Sequence, residues 1–345
     1  MHAYVNAIGL ISPQHTLEND FTCNLPHEGE VVLRCQEPVY KELINPVQLR
    51  RMSRILKLSL AASQLCLNRA GECQPDAIVV GTGLGCVNDL ELFLTSMLKE
   101  NEQSLSPIPF INSSHNTVAA QIARNLQNHG YNSTFCHRGI SFESALQDAL
   151  MLIHGNEANN VLLGGVDEFS EHYYALLNQL GMFKNDNHAY GALCGEGAGF
   201  FLLSNHLTDK TYSQIRAVHS AYSSFDAQDI HQFISTFLLR NNLSISDITH
   251  VMLGISGDRD SDAVYADLTD NYLPAQSSVI SYKHLCGEYT TSGAFALALA
   301  SDALLSGCFP ASSIYRQGNA EEITRVLIYN HYRNTNHSAI LVEKV

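Results

Sequence analysis

The sequence predicts an α/β protein built from two similar halves. Strand-like apolar runs alternate with helical ones, and several of those runs stop at glycine clusters. The same strand–glycine–helix order then returns in the second half, as an internal duplication would produce. A length of 345 residues allows one large domain or two of about 170.

Ala77-Ile78-Val79-Val80 is a short apolar run that stops at Gly81-Thr82-Gly83-Leu84-Gly85 and leads into a helix from about Asn88. Those glycines lack the GxGxxG spacing and no Gly-Lys-Ser/Thr follows, so a strand-end turn is favoured over a nucleotide site. Asn132 to Cys136 reads as the next strand. Phe142, Ala145, Leu146, Ala149, Leu150 and Ile153 then recur on one face of an amphipathic helix, with Ser141 as its expected N-cap. Asn160 to Gly165 is a third strand. In the second half, His250-Val251-Met252-Leu253 stops at Gly254. Ser278-Val279-Ile280-Ser281 leads through a turn into the small-residue helix Ser292 to Ala298, which close packing inside a core would favour. The expected division is 1–205 and 212–345.

Acidic residues number 34 and basic residues 20, for a net charge of −14, the reverse of a nucleic-acid footprint. Charged residues make up 16%, against roughly 25% in an ordinary soluble domain. An extended protein interface and a surface rich in Asn, Gln, Ser and His both account for that deficit. A hydrophobic content of 45% excludes disorder. No apolar run approaches the roughly 20 residues of a membrane span. The start shows no basic n-region and no cleavage site. Nine cysteines, an odd number without a CxxC pair, predict reduced thiols, most of them in the core, and a cytoplasmic protein. Sixteen histidines occur without HxxxH or HExxH spacing, so no metal site is expected.

Several segments, in order, resemble those of the β-ketoacyl synthases, the condensing enzymes of fatty acid and polyketide synthesis. Ser106-Pro107 opens a stretch ending Gly130-Tyr131-Asn132-Ser133-Thr134, similar to the family's interface segment and nucleophile strand. Leu163-Gly164-Gly165-Val166-Asp167 resembles its AGG(A/S)E strand end. Gly191 and Gly195-Glu196-Gly197-Ala198-Gly199 resemble its DGF…GEGAG segment. Ser281 to Glu288 sits where the family has STKxxxGH, and Thr335-Asn336-His337-Ser338 resembles GTNxS. The resemblance runs over nearly the whole chain. It implies a thiolase-like five-layer α-β-α-β-α fold with two pseudo-repeated halves, and a dimer with paired sites near the interface.

In that family a Cys at a helix N-terminus, activated by the helix dipole, takes an acyl group from an acyl carrier protein. Two His residues then stabilise the enolate. Here the nucleophile position falls on Gly139, the first His on Gly254 and the second on Glu288. Glycine forms no thioester, and an ionised carboxylate repels an enolate. Lys283 alone is retained, and pairing with Glu288 is a hypothesis. Cys136 stands three residues before Gly139; it reads as a buried structural thiol, with a displaced nucleophile as the alternative. Ser141 does not fit GxSxG. The family's GFGG gate corresponds to Tyr332-Arg333-Asn334, where losing glycines is expected to remove the φ freedom of a mobile gate.

The resemblance therefore implies a chain length factor, the silent partner of a type II ketosynthase, in aryl-polyene, polyketide or fatty-acid-like biosynthesis. The partner would be an active ketosynthase in a heterodimer. No cofactor is implied. Phe110, Ser113, Ser114, His115 and Thr117 are the candidates for channel or interface residues. Given the charge of −14, the acidic carrier is expected to dock on the partner. A divergent acyltransferase and an acyl-binding scaffold are the alternatives.

Overall fold

The computed structural model describes residues 3–17, 23–25, 29–184 and 190–345. Strands β1 (Ala3–Ile11) and β2 (Val32–Leu33) precede helices α1 (Tyr40–Leu43), α2 (Pro46–Leu49) and α3 (Arg54–Arg69). Then come β3 (Ala77–Gly81), α4 (Val87–Lys99), α5 (Pro107–Ser113), α6 (Thr117–Leu126), β4 (Tyr131–Phe135) and α7 (Ser141–His154). β5 (Asn160–Asp167), α8 (Glu171–Gln179), β6 (Cys194–Gly195) and β7 (Gly197–Ser204) complete the first half. The second holds β8 (Ser213–Tyr222), α9 (Ala227–Arg240), β9 (His250–Leu253), α10 (Arg259–Asp267), β10 (Ser278–Ser281) and α11 (Lys283–Cys286). It ends with α12 (Gly293–Ser306), β11 (Ile314–Arg316), β12 (Arg325–Tyr332) and β13 (Asn336–Glu343).

Hydrogen bonds join eleven strands in the order β11-β10-β9-β12-β13-β8-β1-β7-β5-β3-β4. The halves meet where β1 pairs with β8 over only three residue pairs, Ala3↔Ile215 to Val5↔Ser213. On one side the order is β4-β3-β5-β7-β1; on the other, edge strand β11 aside, it is β10-β9-β12-β13-β8. Counted within each half, both read third, second, fourth, fifth, first. The duplication seen in the sequence is thus a duplication of topology.

Period-two alternation assigns each strand face to a layer. Val5, Ile8, Val79, Leu163, Phe201 and Leu203 point to a central core with α7 and α12, which also receives Met252, Ile280, Ile328 and Ile340 from the second half. The opposite faces bury Ile78, Val80, Leu162 and Phe200 against α3 and α6, and Val251, Leu253, Leu327 and Leu341 against α9 and α10. Five layers result. The small-residue helix α12 lies in the central one with almost every side chain buried. Among the described residues β4 ends the sheet, pairing with β3 alone, and its residues are partly exposed.

Two local expectations are corrected. Ser141 is the first residue of α7 and not its cap: its Oγ donates to the Arg138 carbonyl at 2.7 Å and accepts from the His137 N–H at 2.8 Å, bracing the turn before the helix. Cys136 lies just past β4 and is exposed, not buried. All nine thiols are free and five are buried.

Candidate functional site

The turn from β4 into α7 delivers Gly139 to the centre of the molecule, and Gly139 is buried. A Cβ built there would stand 2.2 Å from Cβ of Tyr332. The end of β12 therefore occupies the volume that a nucleophile would need. Burial pushes the Tyr332 phenol up, reinforced by Tyr173 beside it.

Gly254, just past β9, is enclosed in the same way. A Cβ there would lie 2.3 Å from Asn330 Oδ1, 2.7 Å from the Tyr265 hydroxyl and 3.1 Å from Cε of Lys283. These neighbours form a closed network. The Tyr265 hydroxyl donates to Asn330 Oδ1 at 3.3 Å and accepts from the His331 N–H at 3.0 Å. His331 donates from Nε2 to the Ser261 carbonyl at 3.0 Å and accepts at Nδ1 from the Asn334 N–H at 3.2 Å. Burial, with Lys283 and His337 adding to it, lowers this imidazole to about 3, so it is neutral at pH 7.

At the third position, the buried Lys283 donates from Nζ to Glu288 Oε2 at 2.6 Å. α11 and the turn at Gly287 (φ +80°) fold the two residues back on each other. Burial raises the Glu288 carboxyl while the lysine pulls it down. Neither group is left to stabilise an enolate, because each neutralises the other in a poorly solvated place.

The gate position departs from expectation. Arg333 and Asn334 hold φ of +53° and +49° without glycine. Asn tolerates this region; for Arg it costs about 1–2 kcal/mol. The turn is fastened instead: Arg333 donates to the Met182 sulfur, and Asn334 Nδ2 donates to the Phe225 carbonyl at 2.8 Å.

Two clefts flank this block. One, about 490 Å³, is mostly apolar and includes Phe169, Tyr173, Leu177, Met182, Phe183 and Tyr332 in its walls. The other, about 380 Å³, includes the polar side chains Ser256, Asp258, Lys283, Glu288, His331 and Arg333 in its walls. Met182, Phe183, Glu288 and Tyr332 wall both clefts. Among the described residues no group of three His, Cys, Asp or Glu could hold a metal ion.

Two of the segments that carry the family resemblance have structural work. Asp167 accepts six hydrogen bonds, from the hydroxyl of Thr82, the N–H groups of Gly83, Leu84 and Thr291, and the hydroxyls of Thr290 and Thr291. The Gly81–Gly85 turn thus wraps a carboxylate. Glu196 is held by both arms of Arg54 at 2.5 and 2.7 Å and by the N–H groups of Cys35 and Phe169. Burial alone would raise Glu196, but the Arg54 fork leaves its carboxyl below the usual range.

The sequence-predicted wall lies elsewhere, on α5 and the turn into α6. Phe110 is exposed. Ser113 Oγ donates to the Phe110 carbonyl at 2.8 Å, and Ser114 bonds Asn116. His115 is exposed, whereas Thr117 is buried and donates to the Ile111 carbonyl at 3.2 Å. The structure thus gathers Gly139, Gly254, Lys283, Glu288, Tyr332 and Arg333 at one centre and keeps the Phe110 segment on the surface. Cys136 donates to the Gly83 carbonyl at 3.5 Å, and burial, with Asp167 near, raises its thiol. Tyr265 and Asn330, which fill the second position, carry no sequence signal. Nor does Glu143, buried on α7 four residues after Gly139. It accepts from Ser338 Oγ at 3.1 Å, and burial raises it to about 7.

Comparison with known proteins agrees with the topology. The family model described as "Beta-ketoacyl synthase, N-terminal domain" matches residues 27–247. No curated protein is matched by sequence. The ishigamide ketosynthase/chain length factor superposes with a TM-score of 0.83 at 16% identity, over 100% of this chain and 99% of that one. A β-ketoacyl synthase from Burkholderia phymatum STM815 gives 0.82 at 14%, with 100% and 99% covered. The ketosynthase ApeO in complex with its chain length factor ApeC, from Xenorhabdus doucetiae, gives 0.78 at 14%, with 100% and 98% covered.

Proposed function

Because this chain belongs to the β-ketoacyl synthase family, we propose that it is a non-catalytic, chain-length-factor-like subunit. It pairs with an active β-ketoacyl synthase and shapes the far end of its acyl channel, in type II polyketide, polyene or fatty-acid-like biosynthesis. The observation that carries this reading is the filled centre. Position 139 has no room for a side chain beneath Tyr332, and the two histidine positions are given over to a packed glycine and to a Lys283–Glu288 pair. Fold is kept while the space for chemistry is gone.

The outer surface supports a partner. β4 offers an open sheet edge, a ready template for pairing with another chain. Earlier in the chain, α4 and α5 expose Leu90, Leu94, Leu98, Ile108, Phe110 and Ile111. An exposed apolar surface of that kind marks an interaction site. In this reading residues 1–205 and 212–345 are the two repeated halves, and the first supplies the interface.

Co-expression with candidate ketosynthases tests the proposal. The expected result is a stable heterodimer that condenses malonyl units, while this chain alone does not. A well-behaved homodimer that ignores every ketosynthase offered would overturn it. So would a stable acyl adduct on Cys136, found by intact mass after incubation with an acyl-carrier thioester, since that would make the chain an acyltransferase.

A further inference from the structure

Resting on the subunit reading above, we propose that Phe93 is a positioning residue for Phe110, and so helps to set the length of product that the heterodimer releases. The α4–α5 hairpin stands away from the main core: of all the residues of α4, only Asp89 is buried. α5 has seven residues and begins Pro107-Ile108-Pro109, so two of its first three residues lack an N–H. Such a short helix does not fix its own side chains. Its one buried residue is Asn112, whose side chain helps hold down the Asp89 carboxyl that burial raises.

Phe110, two residues before this anchor, is 60% exposed. Its ring pairs with that of Phe93, with centroids 5.2 Å apart and planes tilted by 47°. That distance falls in the range of favourable aromatic pairs. Asp89 and Phe93 are one turn apart on α4, and Phe110 and Asn112 are two residues apart on α5. The two helices are thus joined by two rungs, one buried and polar, the other exposed and aromatic. Shortening Phe93 leaves the polar rung and frees the Phe110 ring to tilt back toward α4. A ring at the end of a channel that retreats by part of its own width leaves room for further two-carbon units.

The test uses the purified heterodimer, with product lengths and total turnover read by mass spectrometry. Phe93→Ala and Phe110→Ala are each expected to move the main product to longer chains, the former with turnover within about threefold of the parent. Phe93→Tyr should restore the parental length, and the double variant should go no further than Phe110→Ala. The control Leu239→Ala, an exposed change on α9 in the other half, should leave length unchanged. If Phe110→Ala lengthens the product and Phe93→Ala does not, the positioning role is overturned and the subunit reading stands. If neither changes length in an active heterodimer, the wall assignment falls and takes this inference with it. If no heterodimer forms, the subunit reading itself fails. Should Phe93→Ala not assemble, Phe93→Leu, which keeps an apolar contact but not the ring, is read in the same way.

Discussion

A cysteine placed at position 139 would drive its Cβ into that of Tyr332, 2.2 Å away. Gly139→Cys is therefore expected to lower stability by about 1–3 kcal/mol, as overpacking does, and to add no condensing activity. In a thermal-denaturation double-mutant cycle, Tyr332→Gly, which removes the opposing Cβ, should recover most of the loss, giving a coupling above about 0.5 kcal/mol. Additive effects would mean that the two residues are not in conflict. His331 supplies a second test. Its folded value of about 3 lies below the roughly 6.5 of a free imidazole, so the unfolded chain takes up the proton first. The stability linked to His331 is complete above about pH 6.5 and drains away as pH falls toward 3. His331→Gln is less stable than the parent at pH 7.5 because it loses the bond to the Ser261 carbonyl. Below pH 6 the gap should close by up to about 1.4 kcal/mol per pH unit in urea titrations. A constant gap would mean that His331 titrates normally. Glu143 has the opposite sign. Its folded value, about 7, stands above the ordinary 4.5. Its contribution is complete below about pH 4.5 and is lost as pH rises to about 7, so in urea titrations Glu143→Gln gains on the parent between about pH 4.5 and 7 and no further above it. None of these environments was legible in the sequence. Gly139, Gly254 and Glu288 were readable as missing chemistry, but what fills the space comes from β12, almost two hundred residues after β4.

Elements were the most legible scale. The runs at 77–80, 160–165, 250–253 and 278–281 are strands, and the apolar face from Phe142 to Ile153 is α7. Apolar period and glycine stops are local signals, and the folded strands obey them because both of their faces are covered by helices. The ends were less legible. Ser141 sits inside α7 because the Arg138–Ile140 turn precedes it, and that turn is fixed by side-chain bonds that no period encodes. Arg333 takes a left-handed φ because its guanidinium and Asn334 are both tied down. α4 and α5 read as a helix and a family segment, and no local pattern announced that their leucines, isoleucines and phenylalanine would stand exposed. Ile111→Asp follows at this scale. Ile111 is 60% exposed, so the isolated chain should keep its thermal midpoint within about 1–2 °C, as surface changes do. Capture of the ketosynthase should fall at least tenfold in pull-down or light scattering, because a charge at the centre of an apolar contact is left unpaired. Equal capture would place the interface elsewhere.

At the scale of the whole molecule, net charge and local charge point in different directions. The balance of −14 argues that an acidic carrier docks on the partner, and composition could say no more than that. The folded chain, however, collects Arg50, Arg51 and Arg124 around a groove of about 1260 Å³ between α2, α5 and α6, beside exposed Val47, Ile108 and Ile111. Coulomb attraction between exposed charges is screened within about 8–10 Å, so a docking helix senses the three guanidinium groups at contact and the distant acidic surface hardly at all. Net charge instead acts on the approach of the carrier, which it slows. The two readings separate in one measurement on the heterodimer. If the carrier docks on the ketosynthase, as proposed from composition, Arg50→Glu with Arg124→Glu leaves carrier affinity within about twofold. If the groove receives it, affinity drops tenfold or more and the salt dependence flattens, since rim charges chiefly set association rate and its sensitivity to salt. A drop in affinity would show that this chain itself takes part in receiving the carrier.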